Sequence, residues 1–304
     1  MGRLLRNRVL ESILSLACLV VAVFFVSRLT GDPGKLYLPL DASEEDVIEF
    51  NKLHGFDQPV WRQFVTYLGG LSRLDLGMSL RRQEPAHDVV LEAYPATLWL
   101  AGAAILAALI VGVVIGCLAA LKPTSWFDRF ASAVSVSAAS IPDFWLALMG
   151  ILLFAVTLHW LPTSGTGTVW HWILPVAVLM MRPIGSLVQV VRGSMVETLS
   201  APYIDAARGR GVPTRRILFV HALRNAAIPA ITVIGVQAAG ILNGAVVVET
   251  IFGWPGIGRL MITSVLQRDF AVVQAAVIVI ALVIFVLNFL IDILYGVVDP
   301  RVRT

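Results

Sequence analysis

Few groups in this chain could do phosphate, metal or thiol chemistry. Its lysines are Lys35, Lys52 and Lys122. A phosphate-gripping loop needs Gly, four residues, then Gly-Lys-Ser/Thr. Lys35 follows Gly34, but Leu29 stands where the first glycine belongs and Leu36 where the hydroxyl belongs. None of His54, His87, His159, His171 and His221 sits in a His-Glu-x-x-His pattern. Cys18 and Cys117 lie singly in apolar runs and read as small buried hydrophobes. Thr163-Ser164-Gly165-Thr166-Gly167 offers a hydroxyl nucleophile, but reads better as a plain turn. The sequence therefore assigns no catalytic residue, no metal ligand and no cofactor to this chain.

What remains is one polar island. Asp205-Ala206-Ala207-Arg208-Gly209-Arg210-Gly211 begins a basic run that reaches Arg224. Pro202 to Ala207 has the makings of a short helix ending at Gly209 or Gly211. Gly211 lets the chain turn sharply. Arg215 to Leu223 is expected to form a second, amphipathic helix. A loop that only sets topology needs arginines, not a helix-turn-helix. Ala206 and Ala207 are small enough for a short helix to lie flat in a partner's groove. The chemistry expected here is mechanical: a partner protein pushes on the chain at this loop.

The segments around the island are apolar. The 304 residues are 58% hydrophobic and 14% charged. A soluble chain is about 45–50% apolar and about 25% charged, so these segments must bury their surface in lipid. The net charge is only +3, and its basic residues are not interleaved with aromatics, which argues against nucleic acid. Six spans are expected: Val9–Ser27, Ala96–Leu121, one following Arg129 and ending near Leu158, Trp172–Val191, Ala227–Val248 and Ala271–Val297. The fold class is an all-α integral membrane protein. Residues 1–29 form the N-terminal tail and span one. Residues 30–92 form an extracytoplasmic segment of short helices, one opened by a capping box at Ser43-Glu44-Glu45-Asp46. Residues 93–304 form the core, with the polar loop at 192–225. The basic N-terminus resembles a signal peptide, but no small-residue cleavage site follows, so span one is expected to be retained.

Six spans put both termini on one side. With the termini inside, the cytoplasmic segments hold Arg3, Arg6, Arg8, Lys122, Arg129, Arg192, Arg208, Arg210, Arg215, Arg216, Arg224, Arg301 and Arg303, which is 13 of 23 Lys and Arg. The longer outside segments hold fewer, so the termini and the Asp205 loop are expected in the cytoplasm.

Charges inside spans are functional candidates. Pro142 in span three has Asp143 beside it, and a proline there removes a backbone donor and kinks the helix. Arg182 lies in span four. It either pairs with a carboxylate, Asp143 being the candidate, or snorkels, or it lines a solute path and meets a substrate carboxylate. Gln237 and Asn243 in span five are weaker path candidates, since their spacing does not clearly put them on one face.

Several motifs, in order, carry a family resemblance. Asp205-Ala206-Ala207, then Gly211, then His221-Ala222-Leu223-Arg224 resembles the Glu-Ala-Ala loop of inner-membrane permeases in binding-protein-dependent ABC transporters. Gly31-Asp32-Pro33, His54-Gly55-Phe56-Asp57-Gln58-Pro59, Asp75-Leu76-Gly77-x-Ser79 and Pro142-x-Phe144-Trp145 match elements of the B-type permeases of the dipeptide/oligopeptide/nickel group. So do Glu249-Thr250-Ile251-Phe252-x-Trp254-Pro255-Gly256-x-Gly258-Arg259, Arg268-Asp269, and Asp292-x-x-Tyr295 with Asp299-Pro300-Arg301. Asp205 stands for the family's Glu, and His-Ala-Leu-Arg for Ile-x-Leu-Pro. The resemblance spans the chain and implies the ABC type I importer permease fold. It also implies a coupling helix, with Tyr203, Asp205, Ala206, Ala207, Gly211, His221 and Arg224 around the contact with a cytoplasmic ATPase. The implied partners are a second homologous permease, two cytoplasmic ATPase subunits that bind ATP and Mg, and an extracytoplasmic substrate-binding protein. That protein would dock near Trp254, Pro255, Gly256 and Gly258. The implied location is the bacterial inner membrane.

The implied solute is a dipeptide or oligopeptide, with glutathione, nickel chelates and oligosaccharides as alternatives. A secondary transporter driven by an ion gradient would show paired broken spans in inverted halves. The sequence shows one clear proline break and no repeat. A membrane enzyme would need a nucleophile–base pair, which is absent from the motifs above.

Overall fold

The computed structural model describes residues 2–29, 35, 37, 38 and 42–298; the side chains of 2–9, 221, 228, 243 and 292–298 are not among the described parts. The motifs at Gly31-Asp32-Pro33 and Asp299-Pro300-Arg301, and the side chains of His221, Asn243, Asp292 and Tyr295, thus lie outside them. In chain order the elements are α1 (Gly2–Arg28), α2 (Glu44–Leu53), α3 (Val60–Leu71), a two-strand ladder β1 (Met78–Ser79) and β2 (Glu84–Pro85), and α4 (Ala86–Leu121). Then come α5 (Trp126–Ser140), α6 (Asp143–Gly150) running into a π-helical stretch at Ile151–Thr157, α7 (Trp170–Leu199) and α8 (Pro202–Gly209). The chain closes with α9 (Thr214–Arg216), a π-helical stretch at Ile217–Ala222, α10 (Leu223–Ile251), α11 (Ile257–Leu266) and α12 (Phe270–Val298). Among the described residues, four helices are long and apolar enough to cross a bilayer, and counting each of two bent pairs as one span gives six.

Four expectations change. The proline in span three does not kink one helix; it ends one. The residue before a proline avoids the α region, and Ile141 is extended at ψ 132°. Pro142 then caps α6, and the two helices meet at 105°. Span four is longer than expected: α7 continues through Leu199, so Arg192 belongs to a helix and the loop starts at Ser200. The second helix of the island is not separate. Helical backbone, part of it π-type, runs from Thr214 to Ile251, with a second bend of 46° at the break before Pro229. Cys18 is also exposed rather than buried, because the covered face of α1 is the Val20, Phe24, Ser27 stripe.

Chain contacts divide the molecule into two compact units, Met1–Pro95 with Gly256–Val286, and Ala96–Pro255 with Leu287–Thr304. In the first, Ala86, Val89 and Val90 pack with Ile257, Leu260, Val272, Ala275 and Ala276. Phe24 of α1 stacks on Tyr67 of α3 at 5.3 Å between ring centroids. Gln274 of α12 donates to Ser27 of α1 at 2.8 Å, so a buried amide and hydroxyl satisfy each other. The Asp75-Leu76-Gly77 motif is a turn: the Gly77 amide donates to the Asp75 carboxylate at 2.9 Å. Gly77 has φ +86°, a region that costs other residues about 1–2 kcal/mol. Ser79 then donates to the buried Asp269.

The second unit is built around α7. A Cβ on Gly112 would lie 2.7 Å from the Leu187 side chain, and one on Gly116 2.9 Å from Val191. These glycines, four apart on α4, let the two backbones approach as small-x-x-x-small pairs do in membranes. On the other side, Gly185 faces the backbone carbonyl of Ser135 on α5, with no room for a Cβ. One core cluster of this unit joins Leu187, Val188, Val191 and Met195 of α7 with Ala222, Ala226 and Ala230.

Candidate functional site

The polar island folds as a short helix held by one face. Pro202 sits at the start of α8, where its missing N–H costs nothing. Ile204 is fully buried and Ala207 nearly so, both packed with Ile217 beside Leu199 and Val212. The outer face carries Tyr203, Asp205, Ala206, Arg208 and Arg210, all exposed. Asp205 pairs with Arg208 at 3.0 Å. The Tyr203 hydroxyl accepts from Asn225 at 3.0 Å, which ties the helix to the start of α10. Arg224 is exposed in the next turn. Gly211 ends the motif at φ +77° with open space around it, so its need is conformational and not steric. Of the two alanines, then, only Ala206 is presented outward; Ala207 anchors.

The intramembrane charges come together. Arg182 of α7 lies 3.7 Å from the Asp143 carboxylate. Gly244 of α10 leaves the space: a Cβ there would be 3.0 Å from Asp143 Oδ2. Gln237 is tied to α7. Its amide donates to Ser186 of α7 at 2.9 Å.

The Trp254 loop is mostly interior. Trp254 is buried, its indole donates to the Ala96 carbonyl at 3.0 Å, and its ring meets Trp172 edge-on at 4.6 Å. Gly256 and Gly258 are also buried, and Pro255 is exposed. Trp254 and Pro255 edge a groove of about 780 Å³ with Trp99, Trp170 and Trp172. Any docking there must therefore use Pro255 and the groove rim.

Besides Gln274–Ser27 and Ser79–Asp269, two polar pairs of the second unit escaped the sequence reading. Asp128 on α5 accepts both Nε and Nη2 of Arg192 on α7, a forked contact that clamps the two helices. Glu249, just past the expected end of span five, lies in the last turn of α10 and is fully buried, accepting from Thr97 at 2.5 Å. A carboxylate next to a hydroxyl 152 residues away leaves no local signal. Asp128 did leave one, since Ser125 three residues before it caps α5.

Several helices fit to cross a membrane, a charged pair within them and a short helix carried between two of them define a multi-pass transport permease. The chain belongs to the family of binding-protein-dependent transport system inner membrane components, whose family model matches residues 112–304. It is 36% identical over 298 residues to the glutathione transport system permease protein GsiC of Escherichia coli strain K12, covering 98% of this chain and 97% of that one. It is 37% identical over 326 residues to the di/tripeptide transport system permease protein DppB of Pseudomonas aeruginosa strain UCBPP-PA14, covering 95% and 97%. A crystal structure of an amino acid ABC transporter with histidines shares the fold at TM-score 0.51 and 18% identity, over 70% of this chain and 94% of that one. The chain is thus a membrane permease subunit of an ABC importer with the type I fold.

Proposed function

We propose that this permease carries a peptide-like solute, a dipeptide, oligopeptide or glutathione-like compound, into the cytoplasm. The names of the full-length relatives support that solute class. Cytoplasmic ATPase subunits, two per transporter, bind ATP and Mg and seat α8 in a cleft. A second homologous permease completes the pore, and an extracytoplasmic binding protein delivers the solute at the 32–92 segment and the 254–258 loop, where Pro255 is exposed. Both termini and α8 face the cytoplasm, in keeping with the positive-inside distribution. The chain itself carries no hydrolytic site.

The observation that carries this reading is the one-sided anchoring of α8. Burying Ile204 stabilises the helix by about 1.5–3 kcal/mol, so a push on its outer face is passed to α7 and α10 instead of being lost in a slack loop. Reconstitution tests it. Uptake of a labelled dipeptide or of glutathione should require this chain, the second permease, the ATPases, the binding protein and ATP. Uptake by this chain alone in an ion gradient would overturn the proposal.

A further inference from the structure

Between Leu174 and Leu199 the exposed positions of α7 are Arg182, Gln189, Gly193 and Glu197. They fall at i, i+7, i+11 and i+15, one stripe of a helix with 3.6 residues per turn. Half-covered Ser186, at i+4, lies on the same line. The other face of this stretch, with Leu187, Val188, Val191 and Met195, is buried. α4 supplies the contrast. Its exposed stripe is Leu106, Ile110, Val114 and Leu118. Lipid solvates the α4 stripe at no cost. It cannot solvate the α7 stripe, whose charges and amide need water or polar partners.

The head of the α7 stripe is the ion pair. Arg182 reaches Asp143 through one Nη2 at 3.7 Å, and its side chain stays 54% exposed while that of Asp143 is 17% exposed. The cation therefore faces outward, with the anion behind it. A guanidinium offers five N–H donors in a planar fork that fits a carboxylate, and this long contact leaves most of that fork available on the stripe.

We propose that the α7 stripe is the wall of the aqueous solute path and that Arg182 meets the solute's carboxylate there. This rests on the importer reading and adds the ligand chemistry: a small solute with a free carboxylate. The same face covered by a partner subunit or by lipid is the competing outcome.

The test uses the complete transporter in liposomes, with Cys18→Ala and Cys117→Ala as background. Single thiols are introduced by Gln189→Cys on the polar stripe and Ile110→Cys on the apolar one. Two membrane-impermeant thiosulfonates are applied, one ending in a sulfonate, the other in a trimethylammonium. The Gln189→Cys thiol should react and the Ile110→Cys thiol should not. Position 189 lies about 10 Å along the helix from Arg182. Adding Arg182→Gln should then lower the sulfonate-to-trimethylammonium rate ratio about fourfold at low ionic strength. Equal reactivity at the two positions, or a ratio unmoved by Arg182→Gln, overturns the proposal. Absence of ATP-driven uptake by the unmodified transporter would overturn the importer reading instead, and the thiosulfonate rates would still decide the path.

Discussion

Asp128 and Arg192 carry the sharpest single-residue consequence. Asp128 is 2% exposed and sits under a forked guanidinium. Removing one partner of a buried pair leaves the other charged and uncompensated, at a cost of about 3–5 kcal/mol. Arg192 retains some exposure, which puts the expected loss for Asp128→Ala near the lower figure, read as a fall in unfolding midpoint in detergent. The double replacement Asp128→Leu with Arg192→Met should recover much of it, since a matched apolar pair needs no ion. If the double variant is as unstable as the single, the pair is not what holds α5 to α7. The Ser125 cap marked Asp128 as a helix start, but nothing local marked the pairing with Arg192. Arg192 read as one more loop arginine because its helix was taken to end a residue earlier.

At the scale of the element, α8 separates two neighbouring alanines. Ala206→Glu places a carboxylate on the exposed face, so the chain should insert and assemble while ATP-driven uptake fails. Ala207→Glu instead forces a charge against Ile204 and Ile217, so it should loosen the helix itself, seen as faster proteolysis near Arg208. Normal uptake by the Ala206→Glu transporter would remove α8 from the coupling role. α2 responds to pH. The hydroxyl and amide of Ser43 donate to Asp46 at 2.7 and 3.0 Å and hold its carboxyl below the ordinary range. A lowered folded pKa means that the stabilisation is complete above the ordinary value of about 4 and is lost as pH falls through the folded one. Amide protection of α2 should be flat from neutral pH down to about 4 and then drop. Ser43→Ala should lower it about fivefold at neutral pH, the loss of one cap.

The molecule as a whole has a sidedness that can be measured. A phosphatase that is active only outside the cytoplasm, inserted at Gly165, should be active; inserted at Gly211 it should be silent. The reverse pattern would invert the topology and move α8 away from any cytoplasmic ATPase. The apolar segments, the order of the spans and the polar island were legible because hydropathy and charge are local properties that a bilayer acts on directly. Span ends were read less well. A helix stays helical as it leaves the apolar region, so α7 runs on to Leu199 and α4 starts at Ala86, where hydropathy alone no longer marks them.

By itself the sequence determined that this chain lives in a membrane, that α8 exists near Pro202–Gly211, and that Arg182 and Asp143 were candidate partners. Composition and short-range spacing are enough for each. Only the tertiary structure decided that Pro142 divides two helices at 105°, that Ala207 faces in and Ala206 out, and that Glu249 is buried beside Thr97. It alone also decided which side of α7 is covered. The spacing of Arg182, Ser186, Gln189 and Glu197 is present in the sequence, but a stripe becomes a path wall only when the opposite face is taken. That depends on Gly112, Gly116 and Gly185, whose missing side chains let α4 and α5 close on the other face of α7, while its polar line stays exposed among the described residues.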